Sequence, residues 1–195
     1  MPMLRFLFVV LFVSCAGSAW AQVNPMKFAP PLNGDMLNLV VLDKPTVIPD
    51  IALFASDKGK VRLSSYKTKL VVLNIWATWC PPCLEELPSL NALQYAMGSN
   101  IFDVVTVSLD SNSAESIKKF LIDHELMKLP SYVDVDSDIQ KLEVIKDMPA
   151  IPITLIIDPQ SRVLAKLEGP ADWNGRDVRA VLEYYAKNVS YAPIF

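Results

Sequence analysis

The eight residues Trp76 to Cys83, WATWCPPC, constrain this chain more than any other feature. Before them lies Leu70 to Trp76, an apolar run broken only by Asn74. After them Leu84, Leu87, Leu90, Leu93 and Met97 recur at spacings of three and four. The first pattern fits a strand covered on both faces, and the second fits a helix with one buried stripe. Gly98 marks the end of that helix. Pro88 lies inside it and cannot donate to the carbonyl of Leu84, so a kink is expected there. The motif therefore sets two cysteines where a buried strand gives way to a helix.

That position favours thiol chemistry. A thiolate at a helix N-terminus meets unpaired backbone N–H groups and the positive end of the helix dipole. Both lower the thiol pKa and make the sulfur a usable nucleophile. Cys80 stands at that end and Cys83 one turn further in. This order makes Cys80 the attacking sulfur and Cys83 the resolving one. If Cys80 is the N-cap, its side chain accepts from the second or third helical residue. The second is Pro82, which has no N–H, leaving only Cys83 to donate. A less stabilised thiolate means a more reducing couple. Zinc would need two more ligands, and beyond these cysteines only Cys15 and the single His124 are at hand. A static disulfide and a Cu(I) site remain alternatives, because two thiolates suit copper.

The other elements follow the same rules. Ile51 to Phe54, Ser56 to Gly59 and Lys60 to Leu63 read as strand, turn and strand. Ile101 to Leu109 and Tyr132 to Val135 read as strands. Asn112 with Glu115, and Ser137 with Gln140, are spaced as capping boxes ahead of helices. Ile153 to Ile157 and Arg162 to Glu168 form a tight antiparallel pair. Asn174 is expected to cap a last helix that buries Val178, Val181, Leu182 and Tyr185. The expected fold is α/β, a mixed sheet flanked by helices on both faces, with an N-terminal β-hairpin extension.

Met1 to Arg5 carries one positive charge, Phe6 to Val13 is apolar, and Ala19-Trp20-Ala21 offers a small-x-small cleavage site. Residues 1–21 are read as a secretory signal, with an uncleaved anchor or a lipoprotein site at Cys15 as alternatives. Removing them leaves a net charge of −4 and only Cys80 and Cys83 as cysteines. Residues 22–48, with Pro25, Pro30, Pro31 and Pro45, are read as a mostly extended leader with one strand at Leu37 to Leu42. Residues 49–187 are the domain and 188–195 a tail. The mild net charge of −3 for the whole chain argues against a nucleic-acid partner.

The chain resembles the TlpA/ResA group of thioredoxin-like thiol-disulfide oxidoreductases from about Pro49 to Leu182. The resemblance rests on LNIWATWCPPC at Leu73 to Cys83, on Glu86 and Pro88, on IPITLIID at Ile151 to Asp158, and on GPADW at Gly169 to Trp173. The last string is similar to TlpA in particular. The resemblance implies a thioredoxin-like fold with Cys80 and Cys83 as the redox pair. Pro152 would be the cis-proline facing it and would bind substrate backbone together with Ile151. Trp79 would shield the sulfurs and meet the substrate. Glu86 would tune protonation, although a solvated first-turn acid is the plainer reading. Asn74 stands where thioredoxin has a buried acid. An amide cannot shuttle a proton, so Glu86 or water would have to. Leu84 replaces a basic residue common in the group, and Ile153 separates Pro152 from Thr154.

By the same resemblance the protein would work in the periplasm, soluble or anchored through its N-terminus. It would reduce cysteine pairs of exported proteins: copper chaperones, the copper-site subunit of cytochrome c oxidase, or apocytochrome c. A membrane dithiol protein would supply electrons, and no organic cofactor would be needed. An oxidant that introduces disulfides and a copper-binding chaperone are the competing readings. His124, alone in Asp123-His124-Glu125, reads as a surface residue.

Overall fold

A computed structural model describes residues 30–130 and 132–189. The signal reading, with Cys15, therefore lies outside the described residues, as does most of the tail. Among the described residues no helix is long and apolar enough to cross a membrane.

Among the described residues eight strands form one mixed sheet, in the order β1 (Val40–Val47), β8 (Arg162–Glu168), β7 (Ile153–Ile157), β4 (Leu70–Trp76), β5 (Phe102–Ser108), β6 (Tyr132–Val133), β2 (Ala52–Ala55) and β3 (Gly59–Arg62). The central strand is β4, Leu70–Trp76, and every one of its residues is buried. It pairs in parallel with β5 (Phe102–Ser108) and antiparallel with β7 (Ile153–Ile157). β7 continues into β8 (Arg162–Glu168) as the expected hairpin. Beyond β5 lie β6 (Tyr132–Val133) and the hairpin of β2 (Ala52–Ala55) and β3 (Gly59–Arg62). The leader supplies the other edge. Its strand, β1, runs from Val40 to Val47, further along than Leu37 to Leu42, and pairs with β8. Pro45 is tolerated there because an edge strand has one side free of ladder bonds, and the register shifts between Val41 and Thr46.

Alternate residues of β4 divide the core. Leu70, Val72 and Trp76 join a cluster closed by α1 (Pro81–Met97), α2 (Ala114–Asp123) and α3 (Arg176–Asn188). Val71, Leu73 and Ile75 join a second cluster on the opposite face. Two short 3-10 turns, Leu63–Tyr66 and Glu143–Ile145, help close that face.

Three capping expectations are corrected. Ser113, not Asn112, caps α2 by accepting from the Ser116 N–H at 3.2 Å. Gly175, not Asn174, precedes α3, and the Asn174 side chain turns to Arg179 instead. Ser137, which has φ 54°, is followed by turns and the 3-10 turn Glu143–Ile145, and not by the expected α-helix. The buried Asp134 carboxylate takes the N–H groups of Asp138 and Ile139 at 2.9 and 3.0 Å. Those donors hold a turn that delivers Ile139 and Leu142 to the core without a regular helix. Through Pro88, α1 runs unbroken.

Candidate active site

Cys80 is the N-cap of α1, and the site grows from that fact. Its backbone is extended and its carbonyl accepts the first helical bond, from Leu84 at 3.1 Å. Its sulfur accepts from the Cys83 N–H at 3.3 Å. Pro81 and Pro82 fill the first helical positions, where a missing N–H leaves no helical bond unmade. Cys80 and Cys83 are joined as a disulfide with Cα atoms 5.3 Å apart, and the disulfide itself is the redox group. Cys83 is fully buried and Cys80 keeps 4% of its surface.

The turn that brings Cys80 to the helix is held from β5. Asp110, just beyond that strand, accepts from the Thr78 N–H at 2.9 Å and from the Thr78 hydroxyl at 2.6 Å. The Ser108 hydroxyl donates to the same carboxylate at 2.6 Å. Asp110 is a residue the sequence reading missed. A lone acid after a strand carries no signal of its own.

Opposite the disulfide stands the Ile151–Pro152 peptide, which is cis. The Ile151 carbonyl oxygen lies 3.6 Å from Cys80 Sγ. A groove beside it is lined by Pro82, Met148, Ile151, Pro152, Gly169 and, from β1, Val40. Trp79 adjoins Cys80 and is 67% exposed, so its indole faces solvent.

Glu86 lies one turn beyond Cys83 on the same helical face. It is 2% exposed, which excludes the plainer reading of a solvated first-turn acid. Oε1 accepts from Asn74 Nδ2 at 2.7 Å; Oε2 accepts from Trp173 Nε1 at 2.7 Å and from the Ala171 N–H at 3.2 Å. Burial raises the carboxyl pKa to about 7, against the pull of these three donors. The GPADW string thus has a physical role: it wraps α1 and supplies two of the three donors. Gly169 opens it at φ 92°, a region that suits glycine, and its N–H donates to the Pro152 carbonyl at 2.9 Å. Ser89 closes the wrap by accepting from the Trp173 N–H at 3.0 Å.

Asn74 also donates to Thr154 Oγ1 at 2.9 Å, across the β4–β7 register. Its Oδ1 is buried with no partner among the described residues. Such an orphan acceptor typically costs about 1–3 kcal/mol. The cysteines, the cis-proline strand, Asn74, Glu86 and the GPADW loop form one connected unit. His124 stands apart from it, exposed at the end of α2.

Residues 46–166 match the AhpC/TSA family. The chain belongs to that family. The thiol-disulfide oxidoreductase ResA of Bacillus thuringiensis is 26% identical over 144 residues, covering 73% of this chain and 76% of the relative. ResA of Oceanobacillus iheyensis is 32% identical over 113 residues, 58% of this chain and 56% of the relative. Among solved structures, a thiol:disulfide interchange protein of the thioredoxin family from Chlorobium tepidum superposes with a TM-score of 0.59. That match has 25% identity and covers 71% of this chain and 97% of the other. With the disulfide at the strand–helix junction, this AhpC/TSA member is a thioredoxin-fold thiol-disulfide oxidoreductase related to the ResA, DsbE and TlpA proteins.

Proposed function

We propose that the protein is a reductant of disulfides in other exported proteins, working in the periplasm. The observation that carries this reading is the capping of α1. Pro82 removes one backbone donor, and among the described residues the Cys83 N–H is left as the single one directed at Cys80 Sγ. A thiolate with one donor is less favoured than one with two, which stabilises the disulfide and makes the dithiol the better electron donor.

In this reading the reduced enzyme attacks with Cys80. A bond forms between Cys80 Sγ and one substrate sulfur, the substrate S–S bond breaks, and the departing sulfur takes a proton. Cys83 then gives its proton to Glu86 and attacks Cys80 Sγ. The second substrate sulfur leaves with the electron pair of the mixed disulfide and is protonated from solvent. Two electrons have passed to the substrate, and Cys80 and Cys83 are a disulfide. A second dithiol protein, in the membrane, restores the thiols by the reverse exchange. Glu86, with a pKa raised to about 7, is a carboxylate ready to accept a proton for part of the population at neutral pH. Trp79, Ile151 and Pro152 bind the substrate segment beside Cys80, and the groove reaching Val40 receives its extension. Copper chaperones, the oxidase copper subunit and apocytochrome c are the substrate classes we assign, by the resemblance to TlpA and ResA.

Trapping tests the roles. Cys83→Ala should accumulate mixed disulfides between Cys80 and exported proteins, and Cys80→Ala should accumulate none. Equal accumulation in both variants would overturn the assignment of the nucleophile.

A further inference from the structure

The Asn74 amide is used on one side only. Nδ2 spends both hydrogens, on Glu86 Oε1 at 2.7 Å and on Thr154 Oγ1 at 2.9 Å. Oδ1 is buried with no partner among the described residues. This orientation suits an ionised Glu86, since the reverse one would set an amide oxygen against a carboxylate oxygen.

A protonated Glu86 changes the demand. Oε2 faces two donors, Trp173 Nε1 and the Ala171 N–H. An acid proton must therefore sit on Oε1, where it would meet Asn74 Nδ2, donor against donor. Turning the amide end for end removes the conflict. Oδ1 then accepts from Oε1–H and from the Thr154 hydroxyl, which can donate as well as accept. Both contacts survive with their polarity reversed, and the unpartnered position passes from oxygen to nitrogen.

We propose that Asn74 is a positioning residue for the proton step, its amide donating to Glu86 as carboxylate and turning over to accept from Glu86 as carboxylic acid. The charge state of Glu86 is thereby passed across β4 to Thr154, two residues after the cis-proline. The inference rests on the proposed role of Glu86 as proton acceptor. Three other acids lie near Glu86. Glu85 shares its helix, Asp172 lies on the GPADW loop, and Asp35 lies on the turn before β1, while Cys83, on the same helix, is held in the disulfide and has no thiol to titrate in the oxidised protein. The paired strands β4 and β7 carry no charged residue. Of the two groups the Asn74 amide touches, Glu86 is the one whose charge can change, since the Thr154 hydroxyl serves either orientation.

NMR of the oxidised full chain decides it. Through about pH 5 to about pH 9 the Glu86 carboxyl carbon should titrate. Nuclear Overhauser contacts from the Asn74 amide hydrogens to the Thr154 side chain should be strong at high pH and fall several-fold at low pH, with the same midpoint. Glu86→Gln, which must present its own amide nitrogen to Asn74, should show the weak contacts at every pH. Asn74→Leu removes a group that serves both charge states, so it should move the Glu86 midpoint by less than about half a unit. Trp173→Phe removes a donor that serves only the carboxylate and should raise the midpoint further. If Glu86 titrates while the Asn74 contacts stay constant, or if Asn74→Leu raises the midpoint as far as Trp173→Phe, this inference falls and the proton role stands. If Glu86 does not titrate in the range, both fall.

Discussion

Trp173 Nε1 donates to Glu86 Oε2 at 2.7 Å, and this bond ties a loop after the last strand to the helix that carries both cysteines. The bond favours the charged carboxylate and opposes the effect of burial. Trp173→Phe keeps an aromatic ring and loses the donor. The loss of packing costs stability at any pH, whereas the loss of the bond to an ionised group adds about 1.5–3 kcal/mol only where Glu86 is charged. Urea unfolding at about pH 5 and about pH 9 should therefore show the larger penalty at the higher pH. An equal penalty at both would contradict the assignment of Trp173 to the carboxylate.

Glu86 also sets a pH dependence of folding. Its folded pKa, about 7, lies above the ordinary value of 4.5. Between those values the folded state holds a proton that the unfolded chain has released. The contribution of Glu86 to stability is thus complete below about pH 4.5 and is lost as pH rises through about 7. The full change is on the order of 3 kcal/mol. Glu86→Gln cannot ionise and should flatten this part of the curve. Stability measured by urea titration across the window, wild type against variant, checks it. Parallel curves would show that Glu86 titrates normally.

Local patterns were readable and long-range ones were not. The burial of Leu70 to Trp76 follows from an apolar run, and the capping by Cys80 follows from the strand-to-helix junction. Each signal lies within a single stretch of consecutive residues. The partners of Glu86 lie 12, 85 and 87 residues away, so no local pattern could announce them. GPADW was visible as a string but acquired a reason only when Ala171 and Trp173 met α1. The capping boxes failed for a nearer cause. Ser137 and Gln140 have the capping-box spacing, but the Asp134 carboxylate takes the N–H groups of Asp138 and Ile139 in a turn where Ser137 has positive φ. At Asn112 the cap moved by one residue, to another good capping side chain at Ser113.

Asp110 should matter for both stability and chemistry. Its carboxylate gathers the Thr78 N–H, the Thr78 hydroxyl and the Ser108 hydroxyl, all beside the turn that presents Cys80. Asp110→Ala leaves the Thr78 N–H and the buried Ser108 hydroxyl without their acceptor, at a cost of about 2–4 kcal/mol. Asp110→Asn keeps the shape and one acceptor oxygen and should cost less. Denaturant midpoints give the ranking. A smaller loss for Ala than for Asn would mean that the turn does not depend on this carboxylate.

The redox potential tests the direction of electron flow through the same helix end. Pro82 is exposed, so its side chain can change without disturbing the core. It withholds the N–H that a second helical residue would otherwise aim at Cys80 Sγ, while the Cys83 N–H at 3.3 Å remains. The wild-type couple should lie below roughly −200 mV, on the reducing side of protein disulfide isomerase at about −180 mV. Pro82→His restores the backbone donor and, when the imidazole is charged, adds a favourable field. Both stabilise the Cys80 thiolate, so the Cys80 pKa should fall and the potential should rise. Equilibration of each form against a glutathione buffer measures the potential, and thiolate absorbance against pH measures the pKa. A variant whose potential falls while its Cys80 pKa falls would break the link between capping and redox poise. A wild-type value near the −120 mV of DsbA would make the dithiol a poor donor and assign this helix end to disulfide formation.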